Sequence, residues 1–482
     1  MKLSALLSAI EFQQLVPGDV EITDITCDSR KVGPGTLFVA LPGARMDGHD
    51  FIPAAIRDGA AAIVGLREVD TGDTPYAITP DPRKALALLS AAFFGYPGEK
   101  LTLIALTGTK GKTTTAHIIK AILQAAGHKT AMIGTVGYFI GTEKVQDAIN
   151  TTPESVDLHR FFARAVEEGC THLVMEVSSQ ALKLHRTAGI LFDEAIFLNL
   201  SPDHIGGAEH KDFDEYRDCK AMLFRQCKHA IGNADDAHFA EIFHNVSTPV
   251  ETFGFSEGVD LRGSDVAPLR GEGILGSRFG VSCYETPVQL NMPGEFNVSD
   301  ALAAIAVANR LNVPEAAVRQ GLMDARVRGR TEIFPHKGGT IVLIDYAHND
   351  VSFASLLSTL VEYDHDRIIV VFGAGGDRPR MRRTDMAREA AKYAHFAVVT
   401  ADNPRTERVE DICADITAGL EGKIPSVEIY DRAEAIRYAL DMAGERDIVA
   451  LLGKGHEEYI EVNGVRSHFS EKEVLEAYYT EQ

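Results

Sequence analysis

The sequence lacks the features that mark secreted, zinc-binding and membrane proteins. Its six cysteines are scattered through 482 residues without a C-x-x-C pair. This is typical of reduced thiols and argues against a disulfide framework or a cysteine-rich zinc site. No apolar run approaches the ~18 residues of a membrane span. The N-terminal segment, residues 1–7, is soon followed by the charged Glu11 and does not have the pattern of a signal peptide. These absences predict a cytoplasmic protein without a membrane span.

Positive charge is also scarce. Lysine and arginine number 48 against 69 aspartate and glutamate residues, which leaves a net charge of −21. Such an excess argues against a general binder of nucleic acid or anionic membranes, although a local group of cations still holds a phosphate. With 45% apolar residues, the chain is long enough for about three domains of roughly 150 residues each. We expect small molecules as its partners and a monomer as its state.

Residues 101–115 carry the motif around which the chain is organised. An apolar strand pattern runs into a turn that contains Gly108 and Gly111, and a helical pattern follows. Glycines before a helix let backbone N–H groups converge on an anion. Lys112 supplies a charge for the outer phosphates, and Thr113 or its neighbour supplies a hydroxyl for Mg²⁺. The stretch therefore predicts a phosphate-binding loop.

Strand and helix patterns alternate along the whole chain, which predicts an α/β protein. The N-terminal strands are expected at residues 21–26, 36–41 and 61–65, with helices at 54–58 and 82–94. The central strands are expected at residues 101–107, 130–135, 171–176, 194–199 and 229–233, and a helix at 299–311. The last third has strand patterns at residues 340–345, 367–372, 396–400 and 447–452.

Several of these predicted strands end in polar side chains. Because sites in open parallel sheets form beyond the carboxyl ends of strands, Glu176 and Asn199 should face the phosphate loop. Glu176 is a candidate Mg²⁺ ligand, and a carboxylate that caps a helix is the alternative. The last four strands lead into loops rich in functional groups, which together predict a second site. These loops are residues 345–348, 373–378, 402–405 and 453–457.

The order and spacing of nine motifs resemble the Mur ligases, and the resemblance covers nearly the whole chain. The motifs are closest to those of the members that add the third residue of the peptidoglycan peptide. They lie at residues 107–114, 150–153, 175–179, 199–204, 294–297, 329–330, 345–348, 402–405 and 453–457.

The resemblance implies three domains and one reaction. Residues 1–98 would hold the UDP group, residues 99–332 would form the central P-loop ATP-binding domain, and residues 333–482 a Rossmann-like domain that binds the amino acid. The reaction would be ATP-driven amide bond formation through an acyl phosphate, for peptidoglycan synthesis. Cations and Mg²⁺ around the phosphoryl group, and a site closed to water, suit that chemistry.

The resemblance also implies roles for single residues. Lys112, Glu176, His204 and Lys220 would be catalytic. Mg²⁺ ligands would be Thr113, Glu176, His204 and a carbamylated Lys220. ATP would contact Gly108, Thr109, Lys110, Gly111, Lys112, Thr113, Thr114, Asn297, Arg330, Asp345 and His348. The UDP-muramoyl-peptide would contact Ser29, Arg30, Thr151, Thr152, Ser178 and Arg186. Without the resemblance, His204 would be a structural histidine and Lys220 a solvated helix lysine.

For the incoming amino acid, residues 402–405 resemble the form that selects meso-diaminopimelate. This substrate has a second carboxylate where lysine has none, and the Arg405 guanidinium can pair with it through two hydrogen bonds. Lysine would leave Arg405 buried without a partner. Arg378 would take the other carboxylate and Glu457 an ammonium group. The amino-acid site is expected to comprise Arg378, Asp402, Asn403, Arg405, Gly453 and Glu457.

Three alternatives stay open at the level of the sequence. The same ligase could use L-lysine or another diamine. A folylpolyglutamate-type synthase is a second alternative, although that enzyme type lacks a domain like residues 1–98 before the phosphate loop. The third is a nucleotide-binding regulatory protein without ligase activity, which the intact set of candidate catalytic residues disfavours.

Overall fold

The computed structural model describes most of the chain, namely residues 1–43, 46–202, 205–206, 209–271 and 273–481. These residues form two units. The first comprises residues 1–261 and 303–318, and the second comprises residues 262–302 and 319–482.

The first unit begins with a small five-stranded sheet. Its strands are β1 (Gln13–Val16), β2 (Asp24–Thr26), β3 (Thr36–Val39), β4 (Ala60–Gly65) and β5 (Tyr76–Ile78), and its helices are α1 (Leu3–Leu7), α2 (Ile52–Arg57) and α3 (Pro82–Phe93). The order is β1-β5-β4-β3-β2, and all neighbours are parallel except β1 and β5. The predicted elements of this region are present, with bounds that differ by up to three residues.

The phosphate-loop motif lies in a larger sheet of the same unit. Its strands are β6 (Thr102–Thr107), β7 (Thr130–Gly134), β8 (Gly137–Ile140), β9 (Glu143–Gln146), β10 (His172–Glu176), β11 (Phe192–Phe197), β12 (Cys227–Asn233) and β13 (Val250–Gly254). Its helices are α4 (Lys112–Ala125), α5 (Ser155–Glu167), α6 (Ser179–Lys183), α7 (Phe213–Ala221) and α8 (Phe239–Ile242). The strands run in the order β13-β12-β11-β6-β10-β7-β8-β9.

The centre of this sheet is parallel, from β13 to β7, and β8 and β9 continue it as antiparallel strands. β6 is buried along nearly its whole length, as expected for a strand covered on both faces. Its neighbours are β10 and β11. The carboxyl ends of these three strands therefore lie at one edge, which carries Gly108, Glu176 and Asn199.

The second unit begins with three antiparallel strands, β14 (Leu261–Gly271), β15 (Ile274–Val281) and β16 (Val288–Leu290). They are followed by α9 (Glu295–Arg310) and α10 (Glu315–Asp324). The boundaries of the two units pass through β14, α9 and α10. The division into domains at residues 98 and 332 stays a prediction.

A six-stranded sheet forms the rest of the second unit. Its strands are β17 (Glu332–Pro335), β18 (Ile341–Asp345), β19 (Ile368–Phe372), β20 (Phe396–Val399), β21 (Ser426–Glu428) and β22 (Ile448–Leu452). Its helices are α11 (Asp350–Val361), α12 (Met381–Tyr393), α13 (Val409–Gly419), α14 (Arg432–Met442) and α15 (Glu471–Glu481). A separate hairpin pairs β23 (Tyr459–Val462) with β24 (Val465–His468).

The order of the six strands is β17-β18-β22-β19-β20-β21, and only β17 is antiparallel to its neighbour. The four strands predicted for this region are β18, β19, β20 and β22, and they are contiguous. Their carboxyl ends meet at one edge, as the doubly wound arrangement requires. Within the described residues, no helix is both long and apolar enough to span a bilayer.

Candidate active site

The phosphate loop turns at Gly111, whose φ of +83° favours glycine. This residue is the N-cap of α4, and the helix begins directly with Lys112. Asn199 holds the loop from the end of β11, since its side chain accepts a bond from the Lys110 N–H at 2.9 Å and donates one to the Lys110 carbonyl at 3.1 Å. The loop is therefore fixed at the N-terminus of a helix, where the helix dipole and free N–H groups favour an anion.

Lys112 folds back over the loop that precedes it. Its ammonium group donates to the carbonyl oxygens of Gly108 at 2.7 Å and Thr109 at 3.2 Å. Lys220, which was predicted to be catalytic, lies in the last turn of α7. Its ammonium group reaches the same loop and donates to the Gly108 carbonyl at 2.9 Å. Its side chain is buried and lies over the ring of Tyr216, 4.6 Å from the ring centre. Two cations thus lie at the predicted phosphate position.

Glu176 joins the phosphate loop to the strands beside it. Thr113 donates its hydroxyl to Glu176 Oε1 at 3.0 Å, and the Thr135 N–H donates to the same oxygen at 2.9 Å. The carboxylate is almost fully buried, with 1% of its residue exposed. At Gly134 a Cβ atom would lie 2.3 Å from Oε1, so a side chain on the last residue of β7 would displace the Glu176 carboxylate. The Thr113 and Glu176 oxygens are hard donors of the kind that Mg²⁺ takes.

The residues predicted for the muramoyl-peptide divide into two groups. Thr152 donates to the Glu176 carbonyl at 2.9 Å, and it accepts from the Ser178 N–H at 3.0 Å. Arg186 donates to the Thr152 carbonyl at 2.9 Å, and the Thr151 hydroxyl lies 3.0 Å from that of Thr135. These four predicted residues therefore adjoin the phosphate-loop site.

Ser29 and Arg30 lie apart from that group, in a short 3₁₀ helix between β2 and β3. The Arg30 guanidinium pairs with Asp28, and 87% of its side chain is exposed. His204, predicted to bind a metal, lies outside the described residues. Among the residues that are described, no group of three or more His, Cys, Asp or Glu side chains forms a metal site.

In the second unit, three residues predicted to bind ATP meet around Tyr346. The Arg330 guanidinium lies 4.8 Å from the centre of the Tyr346 ring, and His348 Nδ1 is 2.7 Å from the Tyr346 carbonyl. Asp345 is buried and accepts the N–H groups of Thr331 and Ala347, both at 2.7 Å. Burial raises the pKa of Asp345 and lowers the pKa of His348. Asn297, the fourth residue of this set, lies in the first turn of α9, where its side-chain amide donates to the Pro293 carbonyl at 2.7 Å.

A cavity of about 130 Å³ opens at the carboxyl edge of the six-stranded sheet. All six residues predicted for the amino acid line it, together with His348. They come from the loops after β19, β20 and β22, which parallel pairing brings side by side. Sequence reasoning gave no role to several other residues whose side chains line the cavity. They include Tyr346, Arg382, Arg383 and Met386.

Lys454 is a buried residue of the predicted loop 453–457, and sequence reasoning gave it no role. Its ammonium group lies 3.3 Å from Asp402 Oδ1, 3.2 Å from Asn403 Oδ1 and 3.3 Å from Glu457 Oε2. Asn403 in turn donates to Glu457 Oε2 at 2.8 Å. This network fixes the two carboxylates of the cavity. A lysine between two glycines gives no sign of such burial, so the sequence carried no signal for this role.

Arg405 is held from behind by the hairpin. Its N–H donates to the Glu461 carbonyl at 3.0 Å, and its carbonyl accepts from Asn463 at 2.8 Å. The residue has a φ of +53°, a strained conformation for a side chain with a Cβ. Its guanidinium donates to the Gly376 carbonyl at 2.5 Å. The hairpin was missed as well, although Asn463 followed by Gly464 is a strong turn signal.

A glycine loop between a central parallel strand and a helix defines a class of proteins that bind nucleotide phosphates. Three family models match the chain and narrow this class. Residues 21–93 match the Mur ligase family catalytic domain, residues 106–308 the Mur ligase middle domain, and residues 329–455 the Mur ligase glutamate ligase domain. The chain belongs to the Mur ligase family, and the predicted family and three-domain α/β architecture are confirmed.

Relatives with curated names are similar over almost the full chain. The UDP-N-acetylmuramoyl-L-alanyl-D-glutamate–2,6-diaminopimelate ligase of Clostridium perfringens is 38% identical over 98% of this chain and 99% of its own length. The ligase of the same name from Geobacillus thermodenitrificans is 40% identical over 95% of each chain. A solved structure of a ligase with this name is 27% identical, covers 100% of this chain and 99% of its own, and has a TM-score of 0.74.

Proposed function

We propose that this chain is an ATP-dependent ligase that joins meso-2,6-diaminopimelate to the D-glutamate of UDP-N-acetylmuramoyl-L-alanyl-D-glutamate. The observation that carries the proposal is the cavity in which Arg405, Arg378, Asp402 and Glu457 come together. A small molecule with two carboxylates and two ammonium groups matches these charges. The names of the relatives support the same substrates.

The proposed reaction has two steps. The γ-phosphoryl group of ATP is transferred to the D-glutamyl carboxylate, which gives an acyl phosphate and ADP. The free amine of diaminopimelate then attacks the acyl carbon, the C–O bond to phosphate breaks, and the amine loses one proton. Phosphoryl transfer needs positioning and positive charge more than covalent help from the protein. Lys112 and the N-terminus of α4 supply both.

The residues of the phosphate loop, 108–114, bind the phosphates of ATP in this proposal. Thr113 and Glu176 fit Mg²⁺ by their donor chemistry, since both offer oxygens and these lie 3.0 Å apart. Bound Mg²⁺ would neutralise charge on the phosphate oxygens. His204 is proposed as a ligand of a second ion. Lys220 is proposed to be carbamylated, which would turn a cation beside Gly108 into an oxygen donor.

The remaining assignments concern the two organic substrates. Asn297, Arg330, Asp345 and His348 are proposed to contact ATP. Ser29 and Arg30 are proposed for the uridine side of the nucleotide substrate, and Thr151, Thr152, Ser178 and Arg186 for its muramoyl-peptide. The hydrogen bonds among Thr152, Ser178 and Glu176 support the last group, because they join it to the phosphate-loop site.

Specificity for diaminopimelate over lysine is proposed to rest on Arg405. A guanidinium in a cavity forms two parallel bonds with a carboxylate. Lysine has no such carboxylate, so the guanidinium would lose its partner at a cost of about 1–3 kcal/mol or more. Asp402, Asn403, Gly453 and Glu457 complete the site. The network around Lys454 supports this assignment because it holds the carboxylates in place.

Phosphate release from purified protein tests the proposal. The assay contains ATP, the UDP-muramoyl-dipeptide and either meso-diaminopimelate or L-lysine, with each substrate left out in turn as a control. We expect release that requires all three substrates and is at least 100-fold faster at equal low concentrations of diaminopimelate than of lysine. A preference for lysine would identify the second candidate, a ligase for another diamine. ATP binding without turnover would favour the non-catalytic alternative.

A folylpolyglutamate-type synthase is disfavoured by the N-terminal sheet. Residues 21–93 match the Mur ligase family catalytic domain, and the folylpolyglutamate-type enzymes are expected to lack such a domain before the phosphate loop.

We further propose that the domains are divided near residues 98 and 332, and that the enzyme works as a monomer in the cytoplasm. The six cysteines form no disulfide among the described residues, which supports a reducing compartment. Sedimentation of the purified chain tests the monomer.

A further inference from the structure

Two arginines of the amino-acid cavity have no side-chain partner among the described residues. Arg378 lies in the loop after β19, Arg382 lies in the first turn of α12, and both line the cavity. Within the part of the chain that the structure describes, neither guanidinium makes a side-chain hydrogen bond or an ion pair. Arg378 is exposed, whereas Arg382 is half-buried. A half-buried guanidinium without an ion pair among these residues is available to bind an anion.

The other arginines of the same segment differ from Arg382 in this respect. Arg383 is buried and binds two carboxylates, Glu407 at 2.6 Å and Asp415 at 2.8 Å. It therefore braces the loops that carry the cavity. Arg380 has 75% of its side chain exposed, lies 4.0 Å from Asp415 and does not line the cavity. Arg382 combines a place in the cavity wall with the lack of an ion pair among the described residues.

The charges around Arg382 favour an anion at this side of the cavity. Burial, and then the neighbouring charge of Arg378, lower the pKa of Arg382. Tyr346, Asp350 and Asp402 act in the opposite direction but weigh less. The two guanidiniums line one cavity and repel each other, and an anion bound by both relieves that repulsion. The N-terminus of α12, a helix of 13 residues, adds positive potential.

We propose that Arg382 and Arg378 together bind one carboxylate of the amino acid substrate, while Arg405 binds the other. This inference rests on the proposed function and deepens it by adding a substrate-binding residue. A carboxylate presents two oxygens, so each guanidinium takes one or both of them through charge-assisted bonds. Asp402 and Glu457 lie in the same cavity and suit the ammonium groups.

The test compares the R382Q variant with R380Q. The control removes one positive charge from the same segment, at a residue that does not line the cavity. Steady-state kinetics give KM for each substrate separately. For R382Q we expect KM for diaminopimelate to rise about 10- to 100-fold, the range for a lost charge-assisted hydrogen bond. KM for ATP and for the nucleotide substrate should change less than about twofold. R380Q should behave like the wild type.

The outcomes separate the inference from the proposed function. An inactive wild-type enzyme contradicts both. An active wild type with an unchanged KM for diaminopimelate in R382Q contradicts the inference alone, and so does a parallel rise in all three KM values, which would indicate a structural role. Should R382Q fail to fold, R382K replaces it. Lysine keeps the charge but forms one bond in place of a fork, so KM should rise about threefold or more, and an unchanged KM refutes the inference.

Discussion

At the scale of single residues, the phosphate-loop site depends on Glu176. It accepts bonds from Thr113 and Thr135 through one oxygen, and its backbone carbonyl accepts from Thr152. Glu176→Gln keeps the size of the side chain and removes its charge. We expect kcat to fall at least about 100-fold, as when a group that stabilises transition-state charge is lost. The control is Glu168→Gln at the end of α5, where 44% of the side chain is exposed. A Glu176→Gln variant with more than a tenth of the wild-type kcat contradicts this role.

Lys220 allows a second test at this scale. Its position against Gly108 suits either an ammonium or a carbamate. Lys220→Ala should abolish turnover, and acetate or formate should partly restore it, because a free carboxylate can replace the oxygens of a carbamate. Lys211→Ala, which alters an exposed lysine of the same unit, should have no effect. Unrescued loss in Lys220→Ala would refute the carbamate, and full activity would refute any role in catalysis.

His159 links a single residue to the pH dependence of stability. It is buried in α5, and burial lowers its pKa from 6.5 to about 4. The unfolded chain therefore takes up a proton at a higher pH than the folded one. The stabilising effect of the neutral ring is complete above pH 6.5 and is lost as the pH falls towards 4. The loss amounts to about 3 kcal/mol over that range, and about 2 kcal/mol of it should be lost by pH 5.

Melting curves at pH 7 and pH 5 measure this effect. We expect His159→Leu to lose less melting temperature between the two pH values than the wild type does. His244→Leu, at an exposed position of the same unit, should lose as much as the wild type. Equal losses in all three proteins would show that His159 is already protonated, or exposed, in the folded state.

At the scale of elements, the end of β7 approaches the Glu176 carboxylate closely at Gly134. A Cβ at Gly134 would meet Glu176 Oε1 at 2.3 Å, so Gly134→Ala has to displace the carboxylate from Thr113. We expect at least a 10-fold loss of kcat and a destabilisation of about 1–3 kcal/mol. Gly33→Ala is the matched control, because a Cβ there has no neighbour within 4 Å. Unchanged kinetics in Gly134→Ala would mean that Glu176 can move without consequence.

The elements also show what the sequence could and could not predict. Buried parallel strands such as β6 and β19 are short apolar runs, and their patterns predicted them to within about two residues. The helical pattern began at Ala116, whereas α4 starts at Lys112. Thr113, Thr114 and Thr115 are poor helix formers by themselves, and their burial overrides that preference.

The missed elements have physical reasons as well. The missed strands include β14, β15, β23 and β24, which are long or exposed antiparallel strands. Because none of them has a continuous apolar run, the sequence pattern did not predict them. The consequence for the site is direct, because β23 holds Arg405 from behind. The cavity could be predicted from strand ends alone, whereas the roles of Lys454 and Arg382 depend on burial, which one sequence does not reveal.

At the scale of the whole molecule, the sequence predicted most of what was found. The family, the fold class and the ligase activity are confirmed by matches that cover nearly the whole chain. The reason is that six of the nine motifs begin at or just after the carboxyl end of a parallel strand, and a parallel sheet brings such ends together whatever the sequence between them. The division into domains, the metal ligands and the contacts of each substrate stay predictions.

The central claim is that the chain selects an amino acid with two carboxylates. A competition experiment tests it most directly. The enzyme is given ATP, the UDP-muramoyl-dipeptide and equal low concentrations of meso-diaminopimelate and L-lysine, and mass spectrometry measures both products. We expect the diaminopimelate product to exceed the lysine product at least 100-fold. Equal amounts, or an excess of the lysine product, would contradict the account.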